Sequence, residues 1–343
     1  MFRQFLSLVA LLSLVSGLVA NELSVDAVNS AEPNAKSRSS KGLDPLIVKT
    51  QVLLDRAHFS PGEIDGKPGE NLQKAVRAYG AAQAIASDGR LTDALWGKLS
   101  ASSHDPVLQE YTITAADLKG PFTERLPSKL EEMKDLPALG YRSAREAIAE
   151  KFHMSEELLT ALNPGKKFDA AGETIIVANV SNKISGKGAR IEVDKTAETL
   201  KVFDGSGRLL AVYPATVGSE QKPAPDGTLR ITSISRNPVY RYDPEYKFKG
   251  VKSQEPFTIR PGPNNPVGTV WIGLSQKSYG IHGTPHPEKV SKTESQGCVR
   301  LTNWDAEQVA NLMQKGSPVV FVEGPEASSA AVPKKATSRS RRR

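Results

Sequence analysis

The chain has 343 residues, enough for two or three domains, and a formal net charge of +7. Between 325 and 343 there are six Lys or Arg against one Glu, so the rest is close to neutral and nucleic-acid binding is not supported. The single cysteine, Cys298, excludes an intramolecular disulfide.

The N-terminus has a short basic start followed by the apolar block FLSLVALLSLVSGLVA, which ends in small residues. This pattern predicts a secretory signal peptide over 1–20 and therefore an exported protein. An uncleaved membrane anchor is the alternative, although the block is shorter than the roughly 20 residues that a spanning helix needs. Residues 21–42 are polar and rich in Ser, Ala and Asn, which predicts a linker.

Between 43 and 100, three short runs of apolar residues at helical spacing predict a small three-helix unit. Asn71 and Thr92 stand where helix N-caps are expected, and Asp-Gly pairs between the runs predict tight turns. The segments IDGKPGENLQKAVRAY and DGRLTDALW resemble the peptidoglycan-binding domain found beside many wall enzymes. A generic helical spacer is the alternative.

Residues 101–138 are expected to be a second linker, and a different pattern follows over 139–180. Two helical runs, AREAIAEKF and SEELLTALN, precede the strand-like ETIIVA, with Ser155 as the expected N-cap of the second helix. This arrangement resembles a LysM module, in which a strand, two helices and a strand form a groove for N-acetylglucosamine chains. The usual Gly-Asp-Thr-Leu before the first helix is absent, which leaves glycan binding open.

From 188 to 323 the pattern changes to strand-like runs of period two with Gly and Pro turns, and one helical run, NWDAEQVANLMQK. The expected fold class is therefore multidomain, with a mainly β C-terminal domain carrying a late helix behind small α-helical and βααβ modules. Residues 324–343 are predicted to form a disordered basic tail, because they contain almost nothing apolar. The tail either contacts anionic wall polymers or a membrane surface weakly, or is merely solubilising.

The segment YGIHGTPHPEKVSKTESQGCVRL holds the only Cys and two of the five His residues. A lone Cys is usually a small buried hydrophobe, but His282 precedes Cys298 by sixteen residues, which suits a strand, a loop and a return through a tight turn. An imidazole can generate the attacking thiolate. Gly297 allows close approach, so that the N–H groups of Gly297 and Cys298 can face an oxyanion. The pattern predicts a cysteine acyl-transfer site.

The segments RPGPNNPVGTVWIGL, IHGT and SQGCVRLTNWDAEQVANLM resemble the L,D-transpeptidase (YkuD) catalytic domain, and the match extends from about 189 to 323. The resemblance implies a β-sandwich with Cys298 as nucleophile, His282 as general base and the Gly283 carbonyl orienting the imidazole. One position departs from the family, whose members often carry a second His where this chain has Gln296. A slower enzyme or a different pH optimum is expected there, because Gln does not titrate.

Other side chains of the same segment are expected to bind the oxyanion or the substrate: Tyr279, Thr284, Ser295, Gln296, Gly297 and Arg300. Arg300 would hold a substrate carboxylate or the loop itself. Trp271 and Tyr240 either line the cleft or belong to the core. His286 is expected in an exposed loop, and Asn264 and Asn265 in a turn. No cofactor and no metal are expected, since no His, Cys and Asp have zinc-ligand spacing.

The resemblance also implies the reaction. Cys298 would attack the carbonyl that joins the third residue of a stem tetrapeptide to a terminal D-Ala, and an acceptor amine would resolve the thioester into a cross-link or a wall-anchored protein. The partners would be peptidoglycan stem peptides and glycan strands, in the periplasm or at the cell wall. Two alternatives stay open: an L,D-carboxypeptidase that uses water as acceptor, and a non-catalytic wall-binding protein.

Overall fold

A computed structural model describes residues 23–33, 42–180, 183–220, 222–246, 251–295 and 297–324. The predicted signal peptide over 1–20, the tail beyond 324 and Gln296 lie outside the described residues. Within these ranges, no helix has the length and apolar character needed to cross a membrane.

The helices of the described residues lie mainly in the N-terminal half. They are α1 Val25–Asn29, α2 Pro45–Arg56, α3 Glu70–Ala82, α4 Asp93–Ser100, α5 Leu130–Met133, α6 Ala144–Lys151, α7 Glu156–Leu162 and α8 Asn303–Leu312. Thr92 caps α4 and Ser155 caps α7, as predicted. The N-cap predicted at Asn71 is wrong, because α3 begins earlier, after Gly69. The Asn71 side chain is buried and donates to the Val290 carbonyl at 3.1 Å, a contact that its local sequence does not encode.

The strands lie mainly in the C-terminal domain (188–323). They are β1 Leu108–Thr112, β2 Thr174–Ala178, β3 Arg190–Asp194, β4 Thr199–Phe203, β5 Leu209–Pro214, β6 Thr216–Val217, β7 Gly227–Arg236, β8 Tyr240–Tyr242, β9 Phe257–Ile259, β10 Val270–Leu274, β11 Gly280–His282, β12 Val299–Arg300 and β13 Pro318–Val322. Nine of these described strands form one sheet in the order β5-β4-β3-β13-β7-β10-β11-β12-β6. The mainly β fold class is confirmed.

Most neighbours in this sheet are antiparallel, but β3 with β13 and β11 with β12 run parallel. Helix α8 packs on β10 and β11 and buries Val309 in the same apolar core as Ile272 and Ile281. Because α8 covers the inner strands, it supports the short strand β11 from one side. The predicted late helix thus has a defined position, next to the segment that carries His282.

The predicted linker over 101–138 contains the strand β1. Leu108 pairs with Ala178 and Thr112 with Thr174 in an antiparallel ladder with β2. Strand β2 of the predicted unit over 139–180 therefore pairs with a strand upstream of 139, and α5, α6 and α7 lie between the two in sequence. Periodicity did not indicate β1, because within it only Leu108 is buried and no apolar alternation results.

The predicted linker over 21–42 is also partly structured. Helix α1 lies in it, with Val28 fully buried against the N-terminal core. Asn29 Oδ1 accepts the backbone N–H groups of Val107 and Leu108 at 2.9 and 3.0 Å. A five-residue helix is not stable by itself in water, so these tertiary contacts rather than local propensity hold it.

The N-terminal region (23–180) packs directly on the C-terminal domain across a surface that we call the junction. Ser60 Oγ donates to Asp305 Oδ2 at 3.0 Å, and the ring of His153 stacks on Trp304 with centroids 5.2 Å apart. Helix α8 thus contacts the accessory helix α6 as well as the sheet that holds β11. The accessory region and the strand carrying His282 are separated by one helix.

Candidate active site

Two adjacent parallel strands position the predicted nucleophile and base. In the pairing of β11 with β12, His282 lies opposite Arg300, and Cys298 immediately precedes β12. Since side chains alternate along a strand, Cys298, Arg300 and His282 project to the same face of the sheet. Trp271 of β10 pairs with His282 and joins them on that face. Residues sixteen apart in sequence are thereby diagonal neighbours across two strands.

This face forms the floor of a cleft of about 620 Å³. Its lining contains Lys222, Ser235, Pro238, Val239, Tyr240, Arg241, Pro266, Val267, Trp271, Ser278, His282, Ser295, Cys298 and Arg300. Cys298 is half-buried, whereas His282 is only 5% exposed. A substrate in the cleft can therefore reach the sulfur, while the imidazole is largely shielded from bulk solvent.

The His282 ring is held by its own main chain and by an aromatic neighbour. Nδ1 lies 2.6 Å from the Gly283 carbonyl oxygen, so Nδ1–H donates and Nε2 is the nitrogen that can accept a proton. The Trp271 indole stacks on the imidazole with centroids 5.6 Å apart. Gly280 makes room for it, because a Cβ atom there would lie 2.6 Å from Trp271 Cζ2. The ring therefore has one tautomer and little freedom to rotate.

Burial sets the resting protonation of both groups. It lowers the pKa of His282 to about 3, with a further contribution from the Arg300 charge and opposition from the hydrogen bond to Gly283. Burial raises the pKa of the Cys298 thiol, against the opposing effects of the Gly280 N–H and the charges of Lys222 and Arg300. At neutral pH both groups are therefore uncharged, a thiol and an imidazole. The imidazole carries no proton on Nε2, and its low pKa makes it a weak base in the resting state.

The turn before Cys298 explains why Ser and Gly stand where they do. Ser295 Oγ donates to the Cys298 carbonyl at 2.6 Å, and the Ser295 N–H donates to the Gly218 carbonyl at 2.9 Å. Gly297 has a φ of +89°, and a Cβ atom there would lie 2.8 Å from Tyr279 Cε1. Both the conformation and the close approach require glycine. After this turn, Cys298 Sγ lies 3.6 Å from the Ser278 carbonyl oxygen.

The structure separates the expected binding residues into two groups. Ser295 and Arg300 line the cleft together with Cys298 and His282. Tyr279 instead flanks the turn, where it packs on Gly297 and contacts Lys222, whose Nζ lies 5.4 Å from the ring centroid.

Thr284, predicted to bind substrate, is not among the residues that line the cleft. Thr284 is buried, and its Oγ1 accepts the His286 N–H at 3.2 Å, so it shapes the following loop. His286 is exposed in that loop, as expected. Asn265 also shapes a turn as expected, since its Nδ2 donates to the Arg260 carbonyl at 2.8 Å.

Sequence reasoning missed eight of the residues that line the cleft, among them Lys222 and Val239, and left two undecided. The only signal for Lys222 is its position just before the segment PAPDGTLRI. Val239 is 41% exposed, which is unusual for a large apolar side chain in this protein. Trp271 and Tyr240, which the sequence left between cleft and core, both line the cleft.

Among the described residues, no group of three or more His, Cys, Asp or Glu is placed to hold a metal ion.

Comparison with known proteins gives the family. The sequence model of the L,D-transpeptidase catalytic domain, YkuD, matches residues 188–321. A Bacillus licheniformis protein named as L,D-transpeptidase YkuD is 30% identical over 176 residues, which cover 51% of this chain and 90% of that protein. The chain belongs to the YkuD family of L,D-transpeptidases. The predicted family and enzyme class are confirmed.

A second YkuD family member, from Bacillus subtilis, is 28% identical over 51% of this chain and 91% of its own length. Among solved structures, L,D-transpeptidase 3 from Mycobacterium tuberculosis aligns with 45% of this chain and 76% of its own, at 16% identity and a TM-score of 0.34.

Proposed function

We propose that Cys298 and His282 are the nucleophile and general base of an L,D-transpeptidase that acts on peptidoglycan stem peptides. The observation that carries the proposal is the placement of both side chains in one cleft by the parallel strands that end at His282 and begin after Cys298. The membership in the YkuD family supplies the reaction class.

The steps follow from the protonation states. As Cys298 Sγ attacks the carbonyl carbon between the third stem residue and the terminal D-Ala, His282 Nε2 accepts the thiol proton. The tetrahedral oxyanion faces the N–H groups of Gly297 and Cys298. The imidazolium then protonates the leaving amine of D-Ala, which leaves a thioester. An acceptor amine attacks this thioester, His282 takes its proton, and the thiol is restored.

The charges of the cleft fit an acidic substrate. Lys222 and Arg300 both line it, and a stem peptide ending in D-Ala carries a terminal carboxylate. Arg300 is held on β12 opposite His282, so its side chain lies within the reacting region rather than at a distance. We assign the carboxylate of the donor stem to these two cations.

The accessory units are proposed to act by tethering. The three helices α2 to α4 and the LysM-like unit would hold the enzyme against glycan strands, which raises the effective concentration of an insoluble substrate without changing the chemistry. A wall substrate also requires a location outside the cytoplasm, in the periplasm or at the cell wall. The predicted signal peptide over 1–20 agrees with this.

The test is incubation of the purified protein with disaccharide-tetrapeptide muropeptides, followed by mass spectrometry. We expect cross-linked dimers and released D-Ala, and neither product with Cys298→Ala. Free tripeptides without dimers would show that water is the acceptor and would replace the transpeptidase by an L,D-carboxypeptidase. Turnover by Cys298→Ala equal to wild type, or no adduct of a carbapenem on Cys298, would overturn the assignment of the nucleophile.

A further inference from the structure

A carboxyl group of the accessory region is buried against helix α8, which separates it from the strand that carries the proposed base. Glu150 lies near the end of α6, outside the matched family range, and is only 8% exposed. Its Oε2 accepts from Asn303 Nδ2 at 3.0 Å across the junction. A buried carboxyl group is costly to place, so its position needs a reason beyond filling space.

The partner of Glu150 is tightly enclosed. Asn303 Nδ2 also donates to the Pro263 carbonyl at 3.2 Å, and its Oδ1 accepts the Thr269 N–H at 3.1 Å. A Cβ atom on either Gly268 or Gly283 would collide with Asn303 Oδ1. The amide is therefore pressed against the main chain of two glycines, and it can keep this orientation only while its donors are satisfied.

Gly283 is the residue whose carbonyl oxygen fixes the tautomer of His282 at 2.6 Å. The amide of Asn303 packs on the Gly283 main chain, and Glu150 holds that amide from the opposite side. A series of contacts thus connects the accessory helix α6 through Asn303 and Gly283 to the imidazole of His282. We propose that Glu150 is a positioning residue for His282, so that docking of the LysM-like unit is part of the assembly of the active site.

This inference rests on the proposed function, because it needs His282 to act as the base. It predicts a specific kinetic signature. Loss of the Glu150 acceptor frees the Asn303 amide and lets the Gly283 carbonyl shift, which slows acylation of Cys298 but leaves the cleft that binds the reagent unchanged. A positional error of this kind costs about tenfold to a hundredfold in rate.

The experiment compares Glu150→Gln with Glu150→Met in the full chain. The two side chains have similar size, but only Gln offers an oxygen to Asn303. Acylation of Cys298 by a carbapenem is followed by intact mass over a range of carbapenem concentrations, which separates the rate constant from the half-saturating concentration. Thermal unfolding of each variant shows whether it is folded. Glu307→Ala is the control, since Glu307 is an exposed carboxylate on α8, the helix of Asn303.

We expect Glu150→Gln and Glu307→Ala to acylate within about twofold of wild type, and Glu150→Met to acylate about tenfold or more slowly at an unchanged half-saturating concentration. A folded Glu150→Met that reacts at the wild-type rate would overturn the inference, as would a Gln variant as slow as Met. If Glu150→Met does not fold, Asn303→Ala carries the same test, because it removes the amide that joins Glu150 to Gly283 and should be equally slow; a wild-type rate there would also overturn the inference. An adduct in Cys298→Ala would instead reject the proposed function itself.

Discussion

The cleft and the junction both bury ionisable groups, and burial favours the neutral form in both, although it lowers the pKa of a base and raises that of an acid. In the cleft, burial lowers the pKa of His282 to about 3 and keeps the imidazole neutral. At the junction, burial raises the pKa of Asp305 to about 7 and that of Glu150 to about 8, with the Asn303 hydrogen bond opposing the shift of Glu150. These acids are mostly protonated below neutral pH and serve as hydrogen-bonding groups rather than charges.

The two regions also differ in access. The cleft is open over about 620 Å³ and keeps two cations, Lys222 and Arg300, at half-buried positions where they can meet a substrate. The junction buries Asp305 and Asn303 almost completely. Burial therefore keeps Cys298 and His282 neutral in the cleft, which a substrate can enter. At the junction, which is closed to solvent, it surrounds the hydrogen bonds that hold the two regions together.

Removal of the proposed base, His282, is the substitution with the largest expected effect on the reactivity of the cleft. We expect His282→Ala to slow the acylation of Cys298 by a carbapenem by about 10² to 10⁴, the usual contribution of a general base. His286→Ala is the matched control, because His286 is exposed in the loop that follows and does not line the cleft. Equal losses in the two variants would contradict the assignment. Time-resolved intact mass measures both rates.

A smaller effect is expected from disturbing the support of the imidazole. Gly280→Ala places a Cβ atom 2.6 Å from the Trp271 ring, so the indole has to leave its stack on His282. We expect a loss of about 1–3 kcal/mol in the free energy of unfolding, as for other overpacked sites, together with slower acylation. Gly205→Ala, where a Cβ atom meets nothing within 4 Å, should change neither. Denaturant unfolding and adduct formation check this.

The junction can be probed through pH. A raised pKa in the folded state means that the folded protein binds the proton more tightly, so the free energy of unfolding falls as pH rises toward that pKa. From pH 7, where His with its ordinary pKa of 6.5 is mostly deprotonated in the unfolded chain, to about 8, the carboxyls of Asp305 and Glu150 should lower the melting temperature. We expect a decrease of about 2–4 °C for each kcal/mol lost.

Asp305→Asn should weaken the dependence of the melting temperature on pH, because Asn can still accept from Ser60 but does not titrate. Glu110→Gln, at an exposed position of β1, should leave the slope as in wild type. Differential scanning calorimetry across this range measures the effect. A melting temperature that rises with pH in wild type would contradict the assignment.

The smallest expected effect concerns the cations of the cleft. The Arg300 charge helps to lower the pKa of Cys298 against the dominant effect of burial. Arg300→Met should therefore move the pH profile of Cys298 alkylation by iodoacetamide to higher pH. Arg236→Met is the control, since Arg236 bonds to Asn311 on the surface. A shift of the alkylation profile to lower pH in Arg300→Met would contradict the conclusion that the Arg300 charge lowers the pKa of Cys298.

The short strands show where prediction from sequence stopped. The period of two located the long strands β3, β4, β7 and β10, and helical spacing located α2 to α4 and α6 to α8. Strand β12 has only two residues and β1 has one buried side chain, so neither leaves a readable pattern. Their existence depends on partners distant in sequence, β11 and β2.

The sequence by itself determined the family of the protein and predicted the chemistry proposed for its cleft. One sulfur, an imidazole sixteen residues before it and a glycine at the turn predict a cysteine acyl-transfer site, because reactivity depends on residue type and local backbone. Only the tertiary structure decided what surrounds that site. Stacking of Trp271, the placement of Lys222 and the contact of Glu150 with Asn303 all join residues far apart in the chain, and such contacts follow from packing rather than from any local pattern.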